Sequence, residues 1–146
     1  MFNRANAYYE TGEYEKAIVD FTKVISLDRS FTEAFQARGS AYFNLANYES
    51  AINDYNEALK IDNNNPGLLY DLGNAYFMLT DFVSAIKYFS LAIEQEKSNA
   101  NYYFNRALSH FYIDLYQEGC QDLQKASQLG DNEAKAYFDE FCRDQY

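Results

Sequence analysis

Residues 70–93 read YDLGNAYFMLTDFVSAIKYFSLAI, and residues 36–59 read QARGSAYFNLANYESAINDYNEAL. The same pattern of residues is thus repeated after 34 residues. Sliding the sequence by that period aligns four rows, of which the first enters at its fourth position: 1–31, 32–65, 66–99 and 100–133. Self-similarity at a period of about 20 to 50 residues is typical of repeat arrays. The two stretches therefore predict a single solenoid domain covering residues 1–146.

Matching positions of the rows carry matching kinds of side chain. Small residues stand at the eighth position (Ala5, Gly39, Gly73, Ala107) and at the twentieth (Ala17, Ala51, Ala85, Gly119). Rings stand at the eleventh position (Tyr8, Tyr42, Tyr76, His110) and at the seventeenth (Tyr14, Tyr48, Phe82, Tyr116). A large residue stands at the twenty-fourth position (Phe21, Tyr55, Phe89, Leu123). Spacings of three, four and seven predict an amphipathic helix in each half of a row. Small residues allow two helices to approach closely. Each row is predicted to be a helical hairpin, and the fold class to be all-α.

Helix boundaries are indicated by capping residues. Ser30 and Glu33 have the spacing of a capping box before the second row. Asn65-Pro66 predicts an N-cap followed by proline in the first turn, and Gly130-Asp131 predicts the end of one helix and the cap of the next. Residues 134–146 begin a fifth row with one apolar stripe, which predicts a capping helix at the end of the stack.

The pattern Leu72 to Phe77 (LGNAYF), followed by Phe82, Ala85, Phe89 and Ala92, resembles the tetratricopeptide repeat. The usual proline near the end of each row is absent, since Arg29, Asn63, Lys97 and Asp131 stand there. The resemblance implies a right-handed α-α superhelix whose first helices line a concave groove. It also implies an adaptor that binds a peptide or helix of a partner protein, without enzymatic activity. The residues themselves predict no metal or cofactor, because one histidine and one cysteine do not make a metal site and no glycine-rich phosphate loop is present.

One well-known groove of this family grips a C-terminal carboxylate with lysines, asparagines and an arginine. Carried over position by position, only Asn6 matches, while Phe2, Ala37, Gly67 and Asp71 replace the other residues. A clamp for a C-terminal carboxylate is therefore not expected in this chain.

The resemblance places the groove on the first-helix residues that the packing stripe does not use. Amides, rings and one acid dominate this set, which comprises Asn3, Asn6, Tyr9, Gln36, Ser40, Phe43, Asn44, Tyr70, Asp71, Asn74, Phe77, Met78, Asn105, Phe111 and Tyr112. Rings and amides together suit a peptide backbone and its side chains. Binding is favoured for Asn6, Tyr70 and Asn74, whereas Phe43, Phe77 and Phe111 are as well explained by packing between repeats.

Three rows place an arginine at the seventh position and an aspartate 16 residues later, and the third row has Leu72 and Tyr88 instead. Base and acid occur together and disappear together. The pattern predicts an ion pair across the two helices of one hairpin: Arg4–Asp20, Arg38–Asp54 and Arg106–Asp122. These pairs are expected to set packing geometry rather than to perform chemistry.

Composition limits the remaining function classes. The net charge of −10, with 12 scattered basic residues, disfavours nucleic acid as a partner. Residues 1–12 lack the apolar stretch of a secretory signal, and no apolar run is long enough for a bilayer, so a cytoplasmic protein without membrane contact is expected. Cys120 and Cys142 form neither a disulfide framework nor a zinc spacing, which fits a reducing compartment.

Two alternatives are left open by the residues. His110, Asp114 and Cys120 could form a nucleophile–base arrangement, although His110 occupies a ring position and Cys120 an isoleucine position of the repeat. The chain could also be a structural scaffold that assembles with itself through its ends, because the opening helix lacks the first turn that its siblings have.

Overall fold

The structure of the protein is a computed structural model that describes residues 1–143. This part of the chain forms nine α-helices: α1 (Phe2–Glu10), α2 (Tyr14–Leu27), α3 (Thr32–Asn44), α4 (Tyr48–Ile61), α5 (Pro66–Met78), α6 (Phe82–Gln95), α7 (Ala100–Tyr112), α8 (Tyr116–Gln128) and α9 (Asn132–Phe141). They make four antiparallel hairpins and a capping helix, stacked as a right-handed α-α superhelix. No helix of the described part is both long and apolar enough to cross a membrane.

The turn inside each hairpin uses the same backbone geometry. Gly12, Ala46, Thr80 and Asp114 lie 34 residues apart and all have φ between 58° and 77°. In each turn the next amide reaches back to close the helix, for example Asn47 N–H to the carbonyl of Tyr42 at 2.9 Å. Only the first of these positions is a glycine, so three hairpins accept a left-handed residue that carries a side chain.

Two of the three predicted capping signals are confirmed. The Asn65 side chain accepts a hydrogen bond from Leu68 N–H at 3.1 Å, with Pro66 in the first turn. Asp131 accepts from the Glu133 and Ala134 amides at 2.9 and 3.0 Å. The capping box at Ser30 is wrong: α3 begins at Thr32, and Ser30 instead donates to Asp28 in the preceding turn.

The core runs along the whole stack because each hairpin fits a small residue against a large one. A Cβ atom on Gly73 would lie 2.4 Å from Phe89 Cε1, and one on Gly39 would lie 2.7 Å from Tyr55 Cε1. Phe89 is fully buried and Tyr55 is nearly so. The two helices of these hairpins therefore approach so closely that glycine is needed at the contact.

The three predicted ion pairs are confirmed, and each is bidentate. The distances from Nε and Nη2 of the arginine to the carboxylate are 2.6 and 2.8 Å for Arg4–Asp20, both 2.7 Å for Arg38–Asp54, and 2.8 and 2.7 Å for Arg106–Asp122. Arg38 and Arg106 also donate Nη1 to Thr22 and Ser90 of the preceding hairpin, at 3.0 and 2.9 Å. Each of these two arginines therefore joins the two helices of its own hairpin and also joins that hairpin to the preceding one.

The end of the stack differs from the sequence-based expectation. Cys120 of α8 and Cys142 at the end of α9 form a disulfide, with their Cα atoms 5.7 Å apart. The expectation that these two cysteines do not make a disulfide framework is therefore wrong, because the docking of α9 on α8 brings them together. The capping helix begins at Asn132, two residues before the predicted 134, because Asp131 caps it. Residues 144–146 of the predicted capping helix lie outside the described residues.

Candidate functional site

The first helices of the hairpins, α1, α3, α5 and α7, form one continuous face of the stack. Each contacts the next first helix along the array, in addition to its neighbours in the chain. Elements that meet across repeats in this way lie on the inner side of a curved stack, where the spacing between repeats is smallest. This inner face carries the predicted groove residues, and we call it the groove.

Polar side chains of the groove bond to one another across repeats. Asn44 Nδ2 donates to the Tyr9 hydroxyl at 3.0 Å, and Gln36 Nε2 donates to Asp71 Oδ2 at 3.0 Å. One repeat further on, Asn105 Nδ2 donates to the Tyr70 hydroxyl at 2.7 Å. All three bonds span 35 residues, and they form a ladder along the groove.

The ladder separates the predicted groove residues into two groups. Tyr70 and Asn74 are engaged by Asn105, which lies 3.0 Å from Asn74 Oδ1, and the Tyr70 ring contacts Tyr102 with centroids 5.1 Å apart. Asn3 and Asn6 are at the N-terminal end, and their side chains make no hydrogen bond within residues 1–143. Tyr70 and Asn74 therefore join neighbouring repeats, whereas the amides of Asn3 and Asn6 are not used in contacts between repeats of residues 1–143.

Rings at the twelfth position of each row pack across their own hairpin turn. The ring centroids are 5.4 Å apart for Tyr9–Tyr14, 5.2 Å for Phe43–Tyr48, 5.3 Å for Phe77–Phe82 and 6.2 Å for Phe111–Tyr116. Such pairs contribute to stability through geometry as well as burial. These contacts favour the packing interpretation of Phe43, Phe77 and Phe111, each of which meets a ring of its own hairpin.

An apolar cavity of about 470 Å³ lies at the C-terminal end of the groove. Its walls come from α7, α8 and α9: Leu108, Phe111, Tyr112, Tyr116, Cys120, Tyr137 and Phe141. Tyr112, Tyr116 and Phe141 keep 64%, 52% and 54% of their surface exposed. Sequence analysis placed Phe111 and Tyr112 in the groove but assigned the capping helix only to packing, and so missed Tyr137 and Phe141.

A smaller, polar cavity of about 230 Å³ lies nearer the N-terminal end of the groove. It is lined by Tyr9, Ser40, Phe43, Asn44, Tyr55, Asp71 and Asn74, of which all but Tyr55 were predicted groove residues. Burial raises the pKa of Asp71 to about 6, an effect that the hydrogen bond from Gln36 partly opposes. The Ser40 and Tyr55 hydroxyls lie 3.3 Å apart at the wall.

The nucleophile–base arrangement considered from the sequence is not present. The sulfur of Cys120 is bonded to Cys142 and cannot act as a nucleophile. Asp114 accepts a hydrogen bond from the Tyr116 hydroxyl at 2.7 Å, away from the core. His110 is buried with Nδ1 3.2 Å from Asp122 Oδ2, without hydrogen-bond alignment, beside the Arg106–Asp122 pair. Among residues 1–143 no group of His, Cys, Asp and Glu could hold a metal ion.

Comparison with known proteins supports the repeat fold. Two family models match, one described as TPR repeat over residues 39–79 and one as Tetratricopeptide repeat over residues 1–31. A comparison with curated protein sequences finds no match.

Solved structures resemble the chain over most of its length. A crystal structure of MamA has a TM-score of 0.86 at 21% identity, covering 97% of this chain and 86% of that one. MamA 41-end from Desulfovibrio magneticus RS-1 has a TM-score of 0.90 at 17% identity, with coverages of 98% and 82%. The first TPR of Spaghetti (RPAP3), bound to the HSP90 peptide SRMEEVD, has a TM-score of 0.73 at 24% identity, with coverages of 78% and 92%. At these identities the likeness shows the fold alone.

Proposed function

We propose that this chain, which belongs to the tetratricopeptide repeat family, is an adaptor that binds a peptide or helix of a partner protein along its groove. The observation that carries the proposal is the apolar cavity at the C-terminal end, where Tyr112, Tyr116 and Phe141 remain more than half exposed. Open cavities rimmed by exposed rings are the usual sites where a partner inserts an apolar side chain.

The groove itself supplies the polar contacts that an extended or helical segment needs. Amide side chains both donate and accept, and Asn3, Asn6 and Asn44 are exposed or half-exposed on this face. The ladder of bonds between repeats holds the inner face in place before a ligand arrives, which lowers the entropy lost on binding.

A protein of similar fold is solved with a bound peptide, since the structure of the first TPR of Spaghetti (RPAP3) contains the HSP90 peptide SRMEEVD. In this chain Phe2, Ala37, Gly67 and Asp71 stand at positions where a carboxylate clamp would need lysine, asparagine or arginine. We infer that this adaptor binds a peptide of another chemical class.

The test uses a library of N-acetylated, C-amidated peptides, from which binders are selected and their affinities measured by fluorescence anisotropy. Met78→Ala/Tyr112→Ala removes two exposed groove residues, and Leu27→Ala/Val83→Ala is the matched control on the second helices α2 and α6. Affinity should fall about tenfold or more in the groove variant and stay unchanged in the control. Equal affinities in native protein and groove variant would overturn the proposal.

Self-assembly through the N-terminal end is the competing function. At that end Phe2 packs on Phe21 and Phe31, with ring centroids 5.7 and 4.6 Å away, while Met1 remains exposed. Sedimentation velocity over a hundredfold range of concentration decides between the two functions. A mass that doubles with concentration, together with no selected peptide, would favour the scaffold.

A further inference from the structure

Asp71 is the charged residue that lines the polar cavity, and it has no cationic partner among residues 1–143. Gln36 Nε2 is its one hydrogen-bond donor within residues 1–143, and no ion pair of these residues includes Asp71. Asp20, Asp54 and Asp122 of the same protein each receive two bonds from an arginine. A half-buried carboxylate facing a cavity thus lacks the compensation that the other inward-facing aspartates have.

The groups around Asp71 do not neutralise it. Burial and, less strongly, the negative charge of Asp71 raise the pKa of three neighbouring phenols, Tyr9, Tyr55 and Tyr70, and these phenols are uncharged at neutral pH. With a pKa of about 6 the Asp71 carboxyl is mainly ionised at pH 7.5. The cavity therefore holds one unbalanced negative charge at physiological pH.

Several oxygen atoms of the cavity wall are able to accept hydrogen bonds. Asn44 uses Nδ2 to donate to Tyr9 and to the Ser40 carbonyl, so its Oδ1 is left without a donor from residues 1–143. Hydroxyl oxygens of Tyr9, Ser40 and Tyr55 line the same space, and the Tyr9 and Phe43 rings form its sides. Carboxylate, amide and hydroxyl oxygens beside aromatic rings are what ammonium and guanidinium groups bind.

We propose that the polar cavity around Asp71 receives a lysine or arginine side chain of the peptide that the groove binds. This inference rests on the proposed function and specifies the chemistry of its ligand. The peptide is basic at one position, where its cation meets the Asp71 carboxylate and compensates its charge. The net charge of −10 attracts such a peptide from a distance, and the cavity fixes its register.

The test measures which residue the groove selects. In the positional scan of the acetylated, amidated peptides, native protein should enrich lysine or arginine at one position, and replacing that residue by glutamine should weaken binding by at least about 30-fold. Asp71→Asn should remove the preference at that position. Glu118→Gln, an exposed site on α8, makes the same change in net charge away from the cavity and should leave the preference intact.

A second variant keeps the test decisive if Asp71→Asn changes the fold. Gln36→Lys places a tethered ammonium beside Asp71, and it should lower affinity for the basic peptide as Asp71→Asn does. Binding also should weaken with salt in native protein and much less in Asp71→Asn.

The outcomes separate the two proposals. Peptides that require Tyr112 but show no preference for a basic residue would overturn the cation subsite and leave the groove proposal standing. A retained preference in both Asp71→Asn and Gln36→Lys would also overturn the subsite. Peptides whose affinity is the same in the Met78→Ala/Tyr112→Ala variant would overturn the proposed function itself.

Discussion

The second and third hairpins have helices of the same length but different side chains at one contact between their helices. The second hairpin has an ion pair there, and the third has a leucine and a tyrosine. Both combine a helix of 13 residues with one of 14. Between α3 and α4 the contact is the Arg38–Asp54 pair, whose side chains are 16% and 1% exposed. At the matching positions of α5 and α6 stand Leu72, which is fully buried, and Tyr88, which stacks on Tyr76 with centroids 5.3 Å apart.

The difference shows what the position requires. An ion pair and an apolar pair both fill the space between the helices and leave no polar group unsatisfied there. Charge is therefore one solution rather than a demand of the repeat. What the position does not accept is half of an ion pair, because a lone buried carboxylate has neither water nor guanidinium to solvate it.

The largest effect is expected when the second hairpin loses only its base. Arg38→Met leaves Asp54 buried without a partner, so the free energy of unfolding should fall by about 3–5 kcal/mol. Urea denaturation measures this change. Arg143→Met, which breaks the exposed pair with Asp139, is the control and should have a much smaller effect. A loss below about 1 kcal/mol for Arg38→Met would show that the hairpin does not depend on the pair.

The comparison extends to α9, which within residues 1–143 packs chiefly on the fourth hairpin, through α8. Interior hairpins such as α3–α4 and α5–α6 are packed on both sides, and at the end of the stack the Cys120–Cys142 disulfide closes a segment spanning 22 residues. Removing the disulfide should lower the free energy of unfolding by about 3 kcal/mol, chiefly through the greater freedom of the unfolded chain.

Thermal melting with and without reductant checks this prediction. Cys120→Ala/Cys142→Ala is the control, since its melting should not respond to reductant. Hydrogen exchange should rise first in α9 of the reduced native protein. Identical melting of the oxidised and reduced native protein would contradict the stabilising role of the bond.

The third hairpin carries Asp71, a carboxylate that has no cationic partner among residues 1–143, whereas Asp54 of the second hairpin is paired with Arg38. Burial raises the Asp71 pKa from 3.8 to about 6, so the folded protein holds this proton more tightly than the unfolded chain. The group's contribution to stability is therefore greatest below pH 4 and is lost as the pH rises through 6. Between pH 4 and pH 7.5 the free energy of unfolding of Asp71→Asn should therefore rise by about 2 kcal/mol relative to that of the native protein.

Urea denaturation of both proteins at the two pH values measures that difference. Glu118→Gln, at an exposed position, should show no such gain. If the stability difference between native protein and Asp71→Asn were constant with pH, the carboxyl would be as well solvated in the fold as in the unfolded chain.

The smallest effect is expected from converting the second hairpin to the chemistry of the third. Arg38→Leu/Asp54→Tyr should stay within about 1.5 kcal/mol of the native protein, because both partners are replaced by apolar groups that fill the space. The double variant is compared with Arg38→Met in the same urea titration. A loss as large as that of the single variant would mean that the hairpin depends on the ion pair itself, including the bond from Arg38 to Thr22.

Sequence patterns predicted the hairpins and their ion pairs because these features are local. The period of 34, the small and ring positions and the spacing of 16 between arginine and aspartate all lie within one repeat. The capping box at Ser30 failed because Asp28 competes for the same hydroxyl and amide. The left-handed turns were not predicted from the sequence, because only Gly12 of the four positions is a glycine and Ala46 and Thr80 rarely adopt positive φ.

For the groove, the sequence predicted a set of residues but not the hydrogen bonds between them or the cavities that they line. It named Tyr9, Asn44 and Asp71 without showing that amides bond across a step of 35 residues. It also could not reveal that Tyr137 and Phe141 complete an apolar cavity with α7, because that depends on the angle at which the capping helix docks.

By itself, the sequence determined a stack of four helical hairpins with a capping helix, since helical periodicity and repetition are properties of the chain alone. Only the tertiary structure decided that Cys120 meets Cys142, that Tyr70 is held by Asn105, and that Asp71 faces a cavity without a cation. These contacts join different repeats, and their existence depends on the rotation and spacing of the superhelix. No single row of the sequence encodes that geometry.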